Sequence, residues 1–103
     1  MNYLLGHRAI TAGRHLVVVG GELDVNAAPE LRTALSEAIE RGATTVVVDM
    51  GEVTFIDSTA IGVLLAARER LRPSGGALEV VCAEPNVVRV LEIVGMETVA
   101  AVR

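Results

Sequence analysis

Thr44-Thr45-Val46-Val47-Val48-Asp49 is a β-branched run. Soon after it comes Val53-Thr54-Phe55-Ile56-Asp57-Ser58-Thr59-Ala60-Ile61-Gly62, where the apolar period changes. Three consecutive valines fit a buried strand, since stiff branched side chains pack well on a pleated surface. From Ser58 onward, Ile61, Leu64, Leu65 and Leu71 fall on one side of a helix, which Pro73-Ser74-Gly75-Gly76 stops. The segment between them, Gly51 to Asp57, reads as the loop that joins strand to helix.

Working outward, the same alternation recurs on both sides. Leu4 to Thr11 and His15 to Gly20 read as two strands with a turn at Ala12-Gly13-Arg14. Leu16-Val17-Val18-Val19 has the composition of a strand covered on both faces. Ala27, Leu31, Leu35 and Ile39 recur every four residues, with Ala34 and Ala38 beside them, as one helical stripe. Asp24 or Asn26 is placed to cap that helix, Pro29 falls in its first turn and Gly42 ends it. Leu78 to Cys82 is a further strand. Val87, Val90, Leu91 and Val94 form the last helical stripe between Pro85-Asn86 and Gly95, and Thr98 to Val102 can add a closing strand.

The order is ββαβαβα(β) over residues 1–103 as one domain. Strands alternating with helices imply an α/β fold: a mixed, mostly parallel sheet of four to five strands joined by right-handed crossovers. In such sheets functional groups gather beyond the carboxyl ends of the strands. That rule singles out two predicted loops, Gly21-Glu22-Leu23-Asp24 and Gly51 to Asp57.

Composition narrows the function. A 51% hydrophobic content supports a packed core, while 2% aromatics deprives the chain of base-stacking platforms. The net charge of -4 opposes binding to a phosphate backbone, so nucleic acid is excluded as a direct partner. No apolar run reaches the roughly 18 residues of a membrane span, and the first residues lack the pattern of a signal peptide. The expectation is a cytoplasmic protein. Cys82, between Val81 and Ala83, reads as core filler.

Asp57, Ser58 and Thr59 stand where a loop becomes a helix. All three are ordinary helix-capping residues, whose side-chain oxygens accept from unpaired amides of the first turn. A hydroxyl at that position is also open to a kinase, and a phosphate gained there meets exposed amides and the positive end of the helix dipole. Spacing alone leaves both roles open.

This stretch resembles the signature of STAS domains, and in particular of bacterial anti-sigma factor antagonists. In these an Asp-Ser-Ser/Thr-Gly-Leu/Ile-Gly segment opens a helix. Gly21-Glu22-Leu23-Asp24, Val46-Val47-Val48-Asp49 and Val90-Leu91-Glu92-Ile93-Val94-Gly95 match further segments in order. The resemblance implies a partner-switching protein. When unphosphorylated it binds an anti-sigma factor that is also a serine kinase, freeing a sigma factor. Phosphorylation releases it, and a serine/threonine phosphatase resets it. By motif position Ser58 is the phosphoacceptor and Asp57 orients or flanks it. Asp24, Thr59 and Ala60 belong to the partner-binding surface. Ala60 replaces the family's usual Gly, and a methyl there is expected to alter the approach of a partner.

Other readings have less behind them. A serine hydrolase would need the Gly-x-Ser-x-Gly elbow, but residues 56–60 read Ile-Asp-Ser-Thr-Ala. His7 and His15 read as solvated strand or turn residues that supply neither a base nor a metal site. No nucleotide-phosphate loop is present, as Gly20-Gly21 and Gly75-Gly76 read as turns, so no cofactor and no catalysis are expected. Asp49 could be the acceptor of a receiver domain, but no acidic pair stands near the start to hold magnesium; it reads as a strand-end cap. A STAS scaffold subunit of a stress-signalling complex, without a Ser58 switch, is the remaining alternative.

Overall fold

In a computed structural model, residues 3–100 are described. They form β1 (Tyr3–Thr11), β2 (Arg14–Leu23), α1 (Ala28–Glu40), β3 (Thr45–Ile56), α2 (Ser58–Leu71), β4 (Ala77–Cys82), α3 (Pro85–Ile93) and β5 (Thr98–Ala100). The expected order holds, and the optional last strand is present; its predicted continuation to Val102 lies outside the described residues. The sheet order is β1-β2-β3-β4-β5, with β1 antiparallel to β2 and the other pairs parallel.

This sequential order decides where the helices go. Right-handed crossovers that always step the same way lay every helix on the same face. Val17 and Val19 of β2, Val46, Val48 and Met50 of β3, and Val80 and Cys82 of β4 point to that face. There they join Leu31 and Leu35 of α1, Leu64 and Leu71 of α2, and Val87 and Leu91 of α3 in one core. Burial pushes the Cys82 thiol up, which keeps it protonated and unreactive. Tyr3 ties β1 to α1 by donating its Oη proton to Glu30 Oε1 at 2.9 Å.

Four expectations are corrected. Val18 is 45% exposed, so β2 is covered on one face only, because no helix among the described residues reaches the other. His15 is buried at 2% exposure on the helix-covered side, level with Ala9 of β1, rather than solvated; the side chain of His7 lies outside what is described. Asp49 is mid-strand and does not end β3; its Oδ1 accepts from the Gly51 amide at 2.9 Å. Finally, the two predicted loops are strand. β2 runs on through Gly20-Gly21 to Leu23, and β3 through Gly51 to Ile56, paired as Gly20 with Glu52, Glu22 with Phe55 and Leu23 with Ile56. Register shifts beside Gly20 and Gly21 absorb the irregularity, and Gly21 takes φ +85°, a conformation that suits glycine.

Candidate functional site

The extended strands carry the site outward as a unit. Leu23 and Ile56 are the paired last residues of β2 and β3, so the residues that follow them, Asp24 and Asp57, leave the sheet side by side. The Asp57 amide donates to Leu23 O at 3.1 Å, which fixes the start of α2 against the β2 end.

Two aspartates then organise the two helix entries. Asp57 is extended, with φ -106° and ψ 178°, and its Oδ1 accepts from the Ala60 amide at 3.0 Å. It is the N-cap of α2. Asp24 does not cap α1 itself; that cap position is Ala27, which has no side-chain bond. Asp24 instead closes the turn before the helix, its Oδ1 accepting from the amides of Asn26 at 2.9 Å and Ala27 at 3.3 Å. Asn26 caps nothing among the described residues.

Ser58 is the first residue of α2 and is exposed. Among the described residues its hydroxyl makes no hydrogen bond, and the Asp57 carboxylate already accepts from the Ala60 amide. Thr59 beside it is also exposed. Ala60 is fully buried in the core, so its methyl does not reach the surface. The structure therefore gathers Asp24, Asp57, Ser58 and Thr59 at one end of the sheet and sets the Ala60 side chain apart.

Three residues around Ser58 were not singled out from sequence. Phe55 is 49% exposed and Val25 59% exposed, an unusual position for large apolar groups at a strand end and in a loop. Gly62 lies one turn after Ser58, so the two share a helix face. It is exposed, and a methyl added there would touch nothing within 4 Å. A glycine inside a helix weakens it by about 1 kcal/mol relative to Ala, and the fold supplies no packing reason for this one. The helical period showed Gly62 on that face, but only the empty space around it shows that packing does not require a glycine there.

The charge here is one-sided. Glu22, Asp24 and Asp57 cluster at this end, while Arg14 opens β2, Arg41 follows α1, and Arg68 and Arg70 occupy the last turn of α2 at the opposite end. Among the described residues no group of three or more potential metal ligands comes together. Among the described residues no helix is long and apolar enough to cross a membrane.

The cap assignment makes a direct expectation. Asp57→Ala should lower stability by about 1 kcal/mol, up to about 2, whereas Ser58→Ala should be nearly neutral. Urea titrations followed by circular dichroism measure both, and equal losses would show that the two residues share the capping role.

Comparison with known proteins agrees with this architecture. The family model of the STAS domain matches residues 8–102. The chain belongs to the STAS domain family. Among its relatives is the anti-sigma-B factor antagonist of Staphylococcus aureus, 31% identical over 81 residues that span 79% of this chain and 75% of that protein. The protein of the same name from Bacillus subtilis is 30% identical over 83 residues, 81% of this chain and 75% of the relative. The solved structure of the anti-sigma factor antagonist SpoIIAA in its unphosphorylated form superposes with a TM-score of 0.85 at 25% identity, covering 97% of this chain and 90% of that one. The phosphorylated form of the Bacillus cell fate determinant SpoIIAA shares the fold, with a TM-score of 0.81 at 24% identity over 97% of this chain and 93% of that one.

Proposed function

We propose that this protein is an anti-sigma factor antagonist switched by phosphorylation of Ser58, a binding module and not an enzyme. The observation that carries this reading is the division of labour at the start of α2. Asp57 caps the helix, and the Ser58 hydroxyl is left exposed and uncommitted. A modification of Ser58 therefore removes no bond that the fold needs. The relatives named anti-sigma-B factor antagonist support the regulatory role, and SpoIIAA, solved in phosphorylated and unphosphorylated forms, supports the kind of switch.

In the unmodified state the surface offered to the anti-sigma factor is Phe55 and Val25 beside Ser58, Thr59 and Gly62. The apolar groups supply buried area, and Gly62 lets a partner approach the helix backbone closely. The anti-sigma factor, acting as a serine kinase, transfers the γ-phosphoryl group of ATP to Ser58 Oγ. The new P–O bond forms as the β–γ bridging bond breaks, and the hydroxyl proton passes to a base of the kinase. The product places about -1.5 to -2 charges at an end already carrying Glu22, Asp24 and Asp57. First-turn amides and the helix dipole tolerate that charge locally. The partner must then desolvate it or repel it, and lets go. A serine/threonine phosphatase hydrolyses the ester and restores the docking state.

The acceptor is tested by incubating the chain with its cognate kinase and ATP and mapping the site by mass spectrometry. Phosphate is expected on Ser58. The other serines are engaged elsewhere, Ser36 Oγ accepting from Arg70 and Ser74 Oγ donating to Leu71 O. Phosphate chiefly on Thr59, Ser36 or Ser74 would overturn the assignment.

A further inference from the structure

Among the described residues every helix covers the same face of the sheet, and none covers the opposite face. Leu16 and Val18 of β2, Val47 and Asp49 of β3 and Val81 of β4 point to this open face and form its centre. Val18 is half exposed, whereas Val47 is nearly covered. Parallel strands otherwise occur with both faces covered, because their hydrogen-bond geometry and continuous apolar runs suit burial on both sides. An apolar patch on a sheet face that carries no helix is where a partner can pack.

Charge identifies the occupant. The strand register sets Arg8 of β1, Leu16 of β2, Val47 of β3 and Glu79 of β4 in one row across the face. The row is basic at one end, apolar in the middle and acidic at the other, which makes it complementary to itself when reversed. We propose that the open face is the interface of a symmetric dimer of this chain. A two-fold axis parallel to the strands, between β2 and β3, lays β1 of one copy over β4 of the other. Leu16 then packs on the partner subunit's Val47, and Arg8 meets the partner subunit's Glu79, each contact occurring twice. Aligned packing of two twisted sheets about 10 Å apart is an established arrangement. Glu79 lies 3.3 Å from Arg14 within its own chain, both partly exposed, so an incoming Arg8 completes a cluster of three charges at the rim. Asp49, which the same axis brings near the partner subunit's Val18, keeps its carboxylate on the Gly51 amide.

An axis along the strands leaves both copies of Ser58 at the same end of the dimer and clear of the interface. The dimer therefore presents two switch surfaces side by side. It does not depend on what those surfaces bind.

Sedimentation velocity across a concentration series tests the proposal, with circular dichroism reporting the fold. The wild-type chain should show a dimer whose fraction grows with concentration. Val18→Glu, at a half-exposed position and beside the partner subunit's Asp49, should remain folded and weaken the dimer at least about tenfold, as should Arg8→Glu and Glu79→Arg separately. Mixing Arg8→Glu with Glu79→Arg should restore a heterodimer, in which both rim pairs are again opposite in sign, and native mass spectrometry would identify it. A wild-type chain that stays monomeric up to about 1 mM, a dimer that survives Val18→Glu, or a mixture that remains monomeric would overturn the assignment.

Discussion

Ser58→Glu should leave the fold and melting temperature nearly unchanged while weakening binding to the anti-sigma factor at least about tenfold, and phosphoserine should weaken it further. The fold survives because Ser58 carries no bond of the cap, and because an anion at a helix N-terminus is favourable by about 0.3–1 kcal/mol. Binding suffers because the new charge enters the docking surface at an end where acidic groups gather. Arg14, Arg41, Arg68 and Arg70 stand at the other end of the sheet, and the neighbours Glu22, Asp24 and Asp57 are acidic. An uncompensated charge in the centre of an interface costs several kcal/mol, and each 1.4 kcal/mol is tenfold in affinity. Phosphoserine carries about -1.5 to -2 charges against -1 for Glu, which sets the order of the effect. Titration calorimetry with the purified anti-sigma factor measures it. Equal affinity for wild type, Ser58→Glu and the phosphorylated chain would rule out the switch and leave a constitutive scaffold.

The same substitution at two glycines should have opposite results. Gly76→Ala is expected to destabilise the domain by about 1–3 kcal/mol, the range for forcing atoms into a packed site. A Cβ at Gly76 would stand 2.5 Å from Thr44 O and 3.0 Å from Leu71 O. Both are backbone oxygens already committed, Thr44 O to the Ala77 amide and Leu71 O to the amide of Gly76 itself. Neither can swing aside as a flexible side chain would, so β4 must shift against the end of α2. Gly62→Ala, where the added methyl meets nothing, should stabilise the domain by about 1 kcal/mol. At about 4–8 °C per kcal/mol for a domain near this size, thermal melts separate the two variants clearly. Gly62→Ala should also bind the anti-sigma factor more weakly than wild type. A stabilised variant with undiminished binding would show that the Gly62 surface plays no part in docking.

Much of this architecture was legible from the order of residues. The period of four along Ala27, Leu31 and Leu35, and the stripe of Ile61, Leu64 and Leu71, marked helices because their apolar faces must meet a core. The Asp57-Ser58-Thr59 segment at a strand-to-helix junction, with its resemblance to the STAS signature, pointed to the candidate site directly. The valine runs marked the strand centres. Strand ends were harder. Gly20-Gly21 and Gly51 carried turn chemistry, yet pairing with a neighbouring strand, relaxed by register shifts, held them in the sheet.

What only the tertiary structure decided depends on which element lies next to which. Local spacing names three capping residues in a row, and the geometry at the end of β3 assigns the cap to Asp57, which leaves Ser58 free. Ala60 reads as a surface neighbour of Ser58, but the helix phase turns its methyl into the core. Leu16-Val17-Val18-Val19 is apolar enough for burial on both faces, and the run itself carries no record of what covers them. The sequential strand order, with every crossover right-handed, places all the helices on one side, and so buries Val17 while leaving Val18 at the surface.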